Sequence, residues 1–214
     1  VAVNRMLAEK VEDSRDSKVL KNFGFDDIEL STFYAYRNIF KSHKPDDARN
    51  ALNDIEFLKN IGAYKTDRES GITGLTVAGL LMFGKSISIE DALPNYNLDY
   101  QERPRAVTEQ RWIDRLTIDG SWSGNVFDFY RIVINKLFAN IKVPFKLEGD
   151  KRKDDTPVHH AIREALINTL VHADFTDRLS VLVVKRPDMF GFRNPGNMRI
   201  PIEVAIKGGE SDCR

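Results

Sequence analysis

The sequence predicts an α+β protein, and three observations carry that expectation. Apolar residues recur at helical spacing through most of 25–93. A β-branched run, a turn signal and a second short run follow one another over 180–193. Between them, a stretch of period two precedes one long helical stripe. The chain has 214 residues, of which 42% are hydrophobic, enough for one or two ordinary cores. Internal repeats and low-complexity tracts are absent from the sequence.

In chain order, the first 20 residues are polar, with weak periodicity at Met6, Leu7 and Val11, so 1–24 reads as a linker or helical arm. Phe25-Asp26-Asp27 supplies capping groups for a helix through Phe40, with Ile28, Phe33, Tyr36, Ile39 and Phe40 as its buried residues. A second helix spans Asn53 to Asn60 and ends near Gly62. Tyr64 to Thr73 reads as a hairpin whose tip is Asp67-Arg68-Glu69-Ser70-Gly71, after which Thr76 caps a helix over Val77–Phe83. Helix, hairpin and helix give 25–93 the character of a winged-helix-like subdomain. Its second helix is nearly all apolar, however, and lacks side chains that read bases, so a core role is expected there.

Ser88–Leu93 is a turn or helix closed by Pro94, and it ends this subdomain; 94–214 forms the second part. There Tyr96, Leu98 and Tyr100 alternate with polar residues as a half-buried strand does, and Arg111 to Asp119 offers an antiparallel partner. Gly120-Ser121-Trp122-Ser123-Gly124 is a loop. Asn125 to Ile141 reads as the longest helix, with Phe127, Tyr130, Ile134, Leu137, Phe138 and Ile141 forming its core stripe. Val143 to Leu147 is a short strand, placed at a sheet edge by Pro144.

Charge narrows the function classes. Thirty-two basic and 32 acidic side chains balance, which is poor support for a chain that binds nucleic acid by itself, since a phosphate-tracking surface leaves a basic excess; arginines or lysines gathered on one face would favour that reading. Lys146, Lys151, Arg152 and Lys153 are interleaved with Glu148, Asp150, Asp154 and Asp155, as in a solvated loop. A single cysteine, Cys213, allows no intrachain disulfide and suits a reducing cytoplasm. No apolar run is long enough for a membrane helix, so no membrane partner is expected. Walker, Gly-x-Gly-x-x-Gly and Ser/His/Asp signatures are absent.

The chemistry concentrates in 163–175. As a helix, this stretch aligns Glu164, Asn168 and His172 at i, i+4 and i+8, with Ala165, Leu166, Ile167, Leu170 and Val171 around them. A carboxylate one turn from a carboxamide places a potential general base beside a neutral oxygen ligand for Mg²⁺. The alternative is a packed polar helix, in which Glu164 pairs with Arg163, Arg178 or Lys185 and Asn168 is satisfied internally. His159 and His160 suggest a metal pair with His172 or Asp174, but adjacent helical residues point about 100° apart, which disfavours one shared ion.

Strands over Ser180 to Lys185 and Met189 to Arg193 follow, joined at Arg186-Pro187-Asp188, and then comes Asn194-Pro195-Gly196. This order of glutamate–asparagine helix, hairpin and polar glycine loop resembles the GHKL ATPase superfamily. The segments Arg163-Glu164-Ala165-Leu166-Ile167-Asn168, His172-Ala173-Asp174-Phe175, Asn194-Pro195-Gly196 and Gly208-Gly209-Glu210-Ser211-Asp212-Cys213-Arg214 more closely resemble bacterial predicted transcriptional regulators, also described as RecG-like helicase relatives. Leu75 to Lys85, Asn97 to Glu102 and Gly124 to Phe129 fit the same proteins.

That resemblance implies a partial GHKL-like α/β sandwich over 94–214, following an N-terminal AlbA-like (Schlafen-type) domain that lies outside this sequence. It implies Glu164 as catalytic base, Asn168 as Mg²⁺ ligand, and Asn168, His172, Asn194 and Gly196 as contacts to ATP. Asn194 stands where the superfamily pattern has an aspartate for the adenine amino group. The implied function is that of an ATP-binding piece of a cytoplasmic regulator, at most a weak ATPase when whole. DNA is expected to be held by the other domains, with a homo-oligomer as a further partner. A structural dimerisation scaffold and a direct DNA-binding module are the rival readings.

Overall fold

The computed structural model describes residues 15–105, 111–139, 141, 147–148, 151–152, 156–196 and 203. The chain is α+β, and the described residues up to Ser88 form one compact unit while Ile89–Gly196 form another.

In the first unit, α1 (Leu30–His43), α2 (Asp54–Asn60), a hairpin of β1 (Tyr64–Thr66) and β2 (Thr73–Leu75), and α3 (Val77–Phe83) enclose an aromatic core. The expected helix from Phe25 is corrected. Phe25–Asp27 is one 3-10 turn in which the Asp27 carboxylate accepts from the Gly24 backbone N–H at 2.8 Å, so α1 starts afresh with Glu29 as its cap. Ile28 and Phe33 are buried as expected, but Ile39 is exposed and Tyr36 and Phe40 are half-buried. Asn53 caps α2, and Gly62 follows with φ of 79°, a left-handed position suited to glycine. Thr76 caps α3 through its side chain to the Gly79 N–H at 3.1 Å.

Residues 15–24, within the stretch expected to be a linker or arm, lie along β2. Leu20 N–H donates to Leu75 O at 2.8 Å, Leu75 N–H to Phe23 O at 3.0 Å, and Val77 N–H to Lys18 O at 3.0 Å. The residues of the expected Met6–Val11 periodicity lie outside the described ones.

The helix near Ser88 runs over α4 (Ser86–Ala92). The second unit is built on a four-stranded sheet of β3 (Leu98–Glu102), β4 (Asp114–Thr117), β7 (Val181–Arg186) and β8 (Met189–Arg193), in the order β4-β3-β7-β8. β3 pairs antiparallel with β4 and parallel with β7, and a two-residue turn joins β7 to antiparallel β8. β5 (Leu147–Glu148) and β6 (Lys151–Arg152) form a small antiparallel ladder where a loop was expected. Pro144 and the rest of the strand expected over 143–147 lie outside the described residues, apart from Leu147.

α5 (Val126–Phe138) and α6 (Pro157–Val171) cover one face of the sheet, against Leu98, Tyr100, Val181 and Val183, all fully buried. The expected stripe on α5 is corrected: Phe129, Val133, Ile134 and Leu137 are buried, whereas Phe127, Tyr130 and Phe138 are half-buried. Asn125 is the cap and not a helical residue, and the helix ends at Phe138, short of the expected Ile141. β3 is also not half-buried, because Asp99 and Gln101 on its second face are buried too. They are satisfied by polar neighbours: Arg115 donates to Asp99 at 3.0 and 3.1 Å and Gln101 Nε2 at 2.5 Å.

Tyr96 and Tyr100 make this unit sensitive to alkali. Burial pushes the Tyr96 phenol well above its ordinary range, and its hydroxyl donates to Gly124 O at 2.8 Å. Burial, then the nearby Glu102 carboxylate, pushes Tyr100 up as well. An unfolded tyrosine ionises near pH 10, so both phenols give their full stabilisation below about pH 10 and lose it as pH rises further. A Tyr96→Phe/Tyr100→Phe variant is expected to be weaker at neutral pH by about 1 kcal/mol per lost hydrogen bond. It should nevertheless lose less stability than the native chain above about pH 10. Urea midpoints across that range test this; parallel declines would refute it.

Candidate functional site

α6 forms because its start and its inner face agree. Thr156 precedes it as cap, Pro157 occupies the first helical position, and Thr156 Oγ1 and His159 Nδ1 share a hydrogen bond at 2.8 Å. His159, Ile162, Leu166, Thr169 and Leu170 then face inward. The His159 ring meets Phe138 edge-on at 4.6 Å between centroids, which makes it a core residue. Among the described residues, no group of three metal-binding side chains comes together.

The outward face carries Glu164, Ile167, Asn168 and Val171, all exposed. Asn168 Nδ2 donates to Glu164 Oε1 at 3.2 Å, so the pair read from the sequence is in contact one turn apart. That bond fixes the carboxamide and leaves its oxygen as the acceptor. Glu164 makes no ion pair with Arg163, Arg178 or Lys185 among the described residues. Lys185 lies under the sheet's helical face instead, donating to Lys136 O at 2.7 Å and to Glu102 at 3.4 Å.

The third member is placed differently from expectation. The helix ends at Val171, and His172 is its cap, donating its N–H to Asn168 O at 3.1 Å. The chain turns because other groups take over the backbone there. Asn194 Nδ2 donates to His172 O at 3.0 Å, and Asp174 N–H donates to Pro195 O at 3.0 Å. Asp174 Oδ1 accepts from Thr176 N–H at 3.1 Å and from its hydroxyl at 2.5 Å, a local turn that competes with helix. Gly196 has φ of 114°, and a Cβ there would approach Asp174 Cβ to 3.2 Å. The Asn194-Pro195-Gly196 loop is therefore locked against the end of α6.

The fold thus brings together His172, Asp174, Asn194 and Gly196, with Asn168 and Glu164 successive turns up the helix, about 6 Å of rise each. Asp174 is the residue to which the sequence reading gave no part in this loop. An aspartate two residues before a threonine just past a helix was the available signal. The Gly208-Gly209 segment lies outside the described residues.

A family model for a domain of unknown function, DUF8451, matches residues 4–99. That match ends at the start of β3, before α6 and the loop that follows β8. No curated protein matches the chain. Among solved structures, the DIP2311 protein from Corynebacterium diphtheriae is similar with a TM-score of 0.60 and 19% sequence identity, over 90% of this chain. The likeness is one of fold, and the chain spans only 35% of that protein's chain. Among the described residues, no helix is long and apolar enough to cross a membrane.

Proposed function

We propose that 94–214 belongs to a GHKL-like ATP-binding domain of a bacterial transcriptional regulator, and that ATP with Mg²⁺ acts there as an ordering ligand. The observation that carries this reading is the Asn168–Glu164 pair, exposed on α6, with no ion pair from Glu164 to a cation among the described residues, and one to two helical turns from a glycine loop locked at the helix end. The residues fit the group. Asn168 Oδ1 is a hard, neutral oxygen of the kind Mg²⁺ accepts, and Glu164 retains a second carboxylate oxygen. Asn194, with Nδ2 engaged, keeps Oδ1 to accept from an adenine amino group. Ile167 and Val171 give the same face apolar surface. Bound Mg²⁺ would offset phosphate charge. Glu164 would hold the proton-accepting position, in a whole protein that is at most a slow ATPase.

An ordering ligand changes how neighbouring domains or subunits dock, which suits a cytoplasmic regulator that is a homo-oligomer and contacts DNA through further domains. Calorimetry with Mg²⁺-ATP tests the site. Native protein should bind, and Asn168→Ala should weaken binding about 10- to 100-fold, as expected for losing a contact to a charged group. Equal affinity of the two, with the fold intact by circular dichroism, would reject the assignment. Absence of binding by the native chain would favour the scaffold reading.

A further inference from the structure

The sheet in the second unit sorts charge by face. Alternation along the strands puts Glu102, Asp114 and Lys185 on the side covered by α5 and α6. The opposite side carries Asp99, Arg103 just past β3, Arg115 on β4, Arg186 on β7 and Arg193 on β8. Four guanidinium groups thus stand against one strand carboxylate, in a chain whose total charge is zero. Arg105 and Arg111 extend this side: Arg186 Nη2 donates to Arg105 O at 3.3 Å, and the Arg111 and Arg115 guanidinium carbons lie 5.3 and 4.7 Å from the Trp112 ring.

How these arginines are held matters more than their number. Arg115 is neutralised by Asp99. Arg186 meets Asp188 at 3.1 Å in an exposed pair, which phosphate can displace at small cost. Arg103 donates through Nε at 2.9 Å and Nη2 at 2.6 Å to the neutral Gln101 oxygen, and Arg193 donates to Ser180 Oγ at 3.2 Å. Among the described residues neither Arg103 nor Arg193 reaches a carboxylate. Their forks are fixed in direction without being discharged. Arg103 and Arg186 moreover occupy neighbouring parallel strands, about 4.8 Å apart, where like charges repel unless an anion lies between them. Between these arginines Gly191 leaves the surface low: an added Cβ would meet only Met189 Cε and Val184 Cβ.

We propose that the face of this sheet opposite α5 and α6 binds the phosphodiester backbone of a nucleic acid, with Arg103 and Arg193 as its principal phosphate contacts and Arg186 as a third. Guanidinium forks match phosphate oxygens in pairs, the geometry for which arginine is preferred over lysine. The face offers little apolar surface for insertion into a lipid layer, with Ile113 and Met189 its large exposed apolar side chains among the described residues. This site lies across the sheet from the outward face of α6 and stands independently of any nucleotide there.

Fluorescence anisotropy with a labelled oligothymidylate, titrated over a series of KCl concentrations, reads the site directly. Arg103→Gln/Arg193→Gln should lower affinity about tenfold at low salt and reduce the slope of log K against log salt by roughly 1.4, two phosphates at about 0.7 each. Arg103→Lys/Arg193→Lys should recover most of the slope. Lys41→Gln/Lys59→Gln removes the same charge from exposed helix positions in the first unit and should change little. Equal losses in the two Gln variants, or no oligonucleotide binding by the native chain, would overturn the proposal. So would binding only to vesicles of anionic phospholipid.

Discussion

Gly79→Ala is expected to destabilise the first unit by about 3 kcal/mol or more, although alanine is the better helix former by about 1 kcal/mol. Gly79 lies inside α3, where the backbone of that helix crosses the end of β1. An added Cβ would sit 2.1 Å from Ala63 O and under 3 Å from two further Ala63 backbone atoms. No side-chain rotation relieves that overlap. The carbonyl is itself pinned, accepting from Thr76 N–H at 3.0 Å and from Thr76 Oγ1 at 3.2 Å. Thr76 Oγ1 meanwhile donates to Gly62 O at 2.9 Å and accepts from Gly79 N–H at 3.1 Å. Moving the carbonyl would break the cap of the helix that needs the space. A urea midpoint unchanged or raised in the variant would show that this crossing has slack.

Phe33→Ala should cost about 3–5 kcal/mol, the range for removing a buried aromatic ring. Phe33 is fully buried on α1. Its ring meets Phe25, Phe57 and Phe83 edge-on at 6.4, 6.1 and 5.8 Å, with Tyr34 tilted at 5.5 Å. Each such pair adds stabilisation beyond the buried area. The ring therefore joins α1, α2, α3 and the turn before α1, and no single neighbour can collapse into the space it leaves. Phe33→Leu, which keeps most of the volume, should cost about 1.5 kcal/mol or less. Thermal melts of the two variants decide the matter: if both lose the same amount, filling the volume does not restore stability and the ring contacts carry the cost instead.

What the sequence disclosed follows from the range of the interactions. Thr76 was legible as the cap of α3, and Asn194-Pro195-Gly196 as a loop, because both depend on residues within a few positions. The Glu164–Asn168 contact was legible for the same reason, being one helical turn. The face of α5 was misjudged because Phe127, Tyr130 and Phe138, which flank the packed side, are as apolar as Phe129 and Val133, so residue type alone does not mark which side meets the sheet. The end of α6 was misplaced because a distant residue, Asn194, takes the His172 carbonyl. The arginine face was beyond reach: it needs the parallel register of β3 with β7, set by strands far apart in the chain. The burial of Asp99 and Gln101 was hidden likewise, since their partners lie on β4 or past the strand end.

The parallel ladder of β3 with β7 also governs how the protein is made. During synthesis β3 emerges with Leu98 and Tyr100 ready for burial, while Val181 and Val183, beside which they will lie, come some 80 residues later. At about 5–20 residues per second, that interval is on the order of 4–16 s. The β4 strand can cover one edge of β3 early, being close in sequence. The other edge stays open on the ribosome until the β7–β8 hairpin arrives, an interval in which a passing chaperone can hold it.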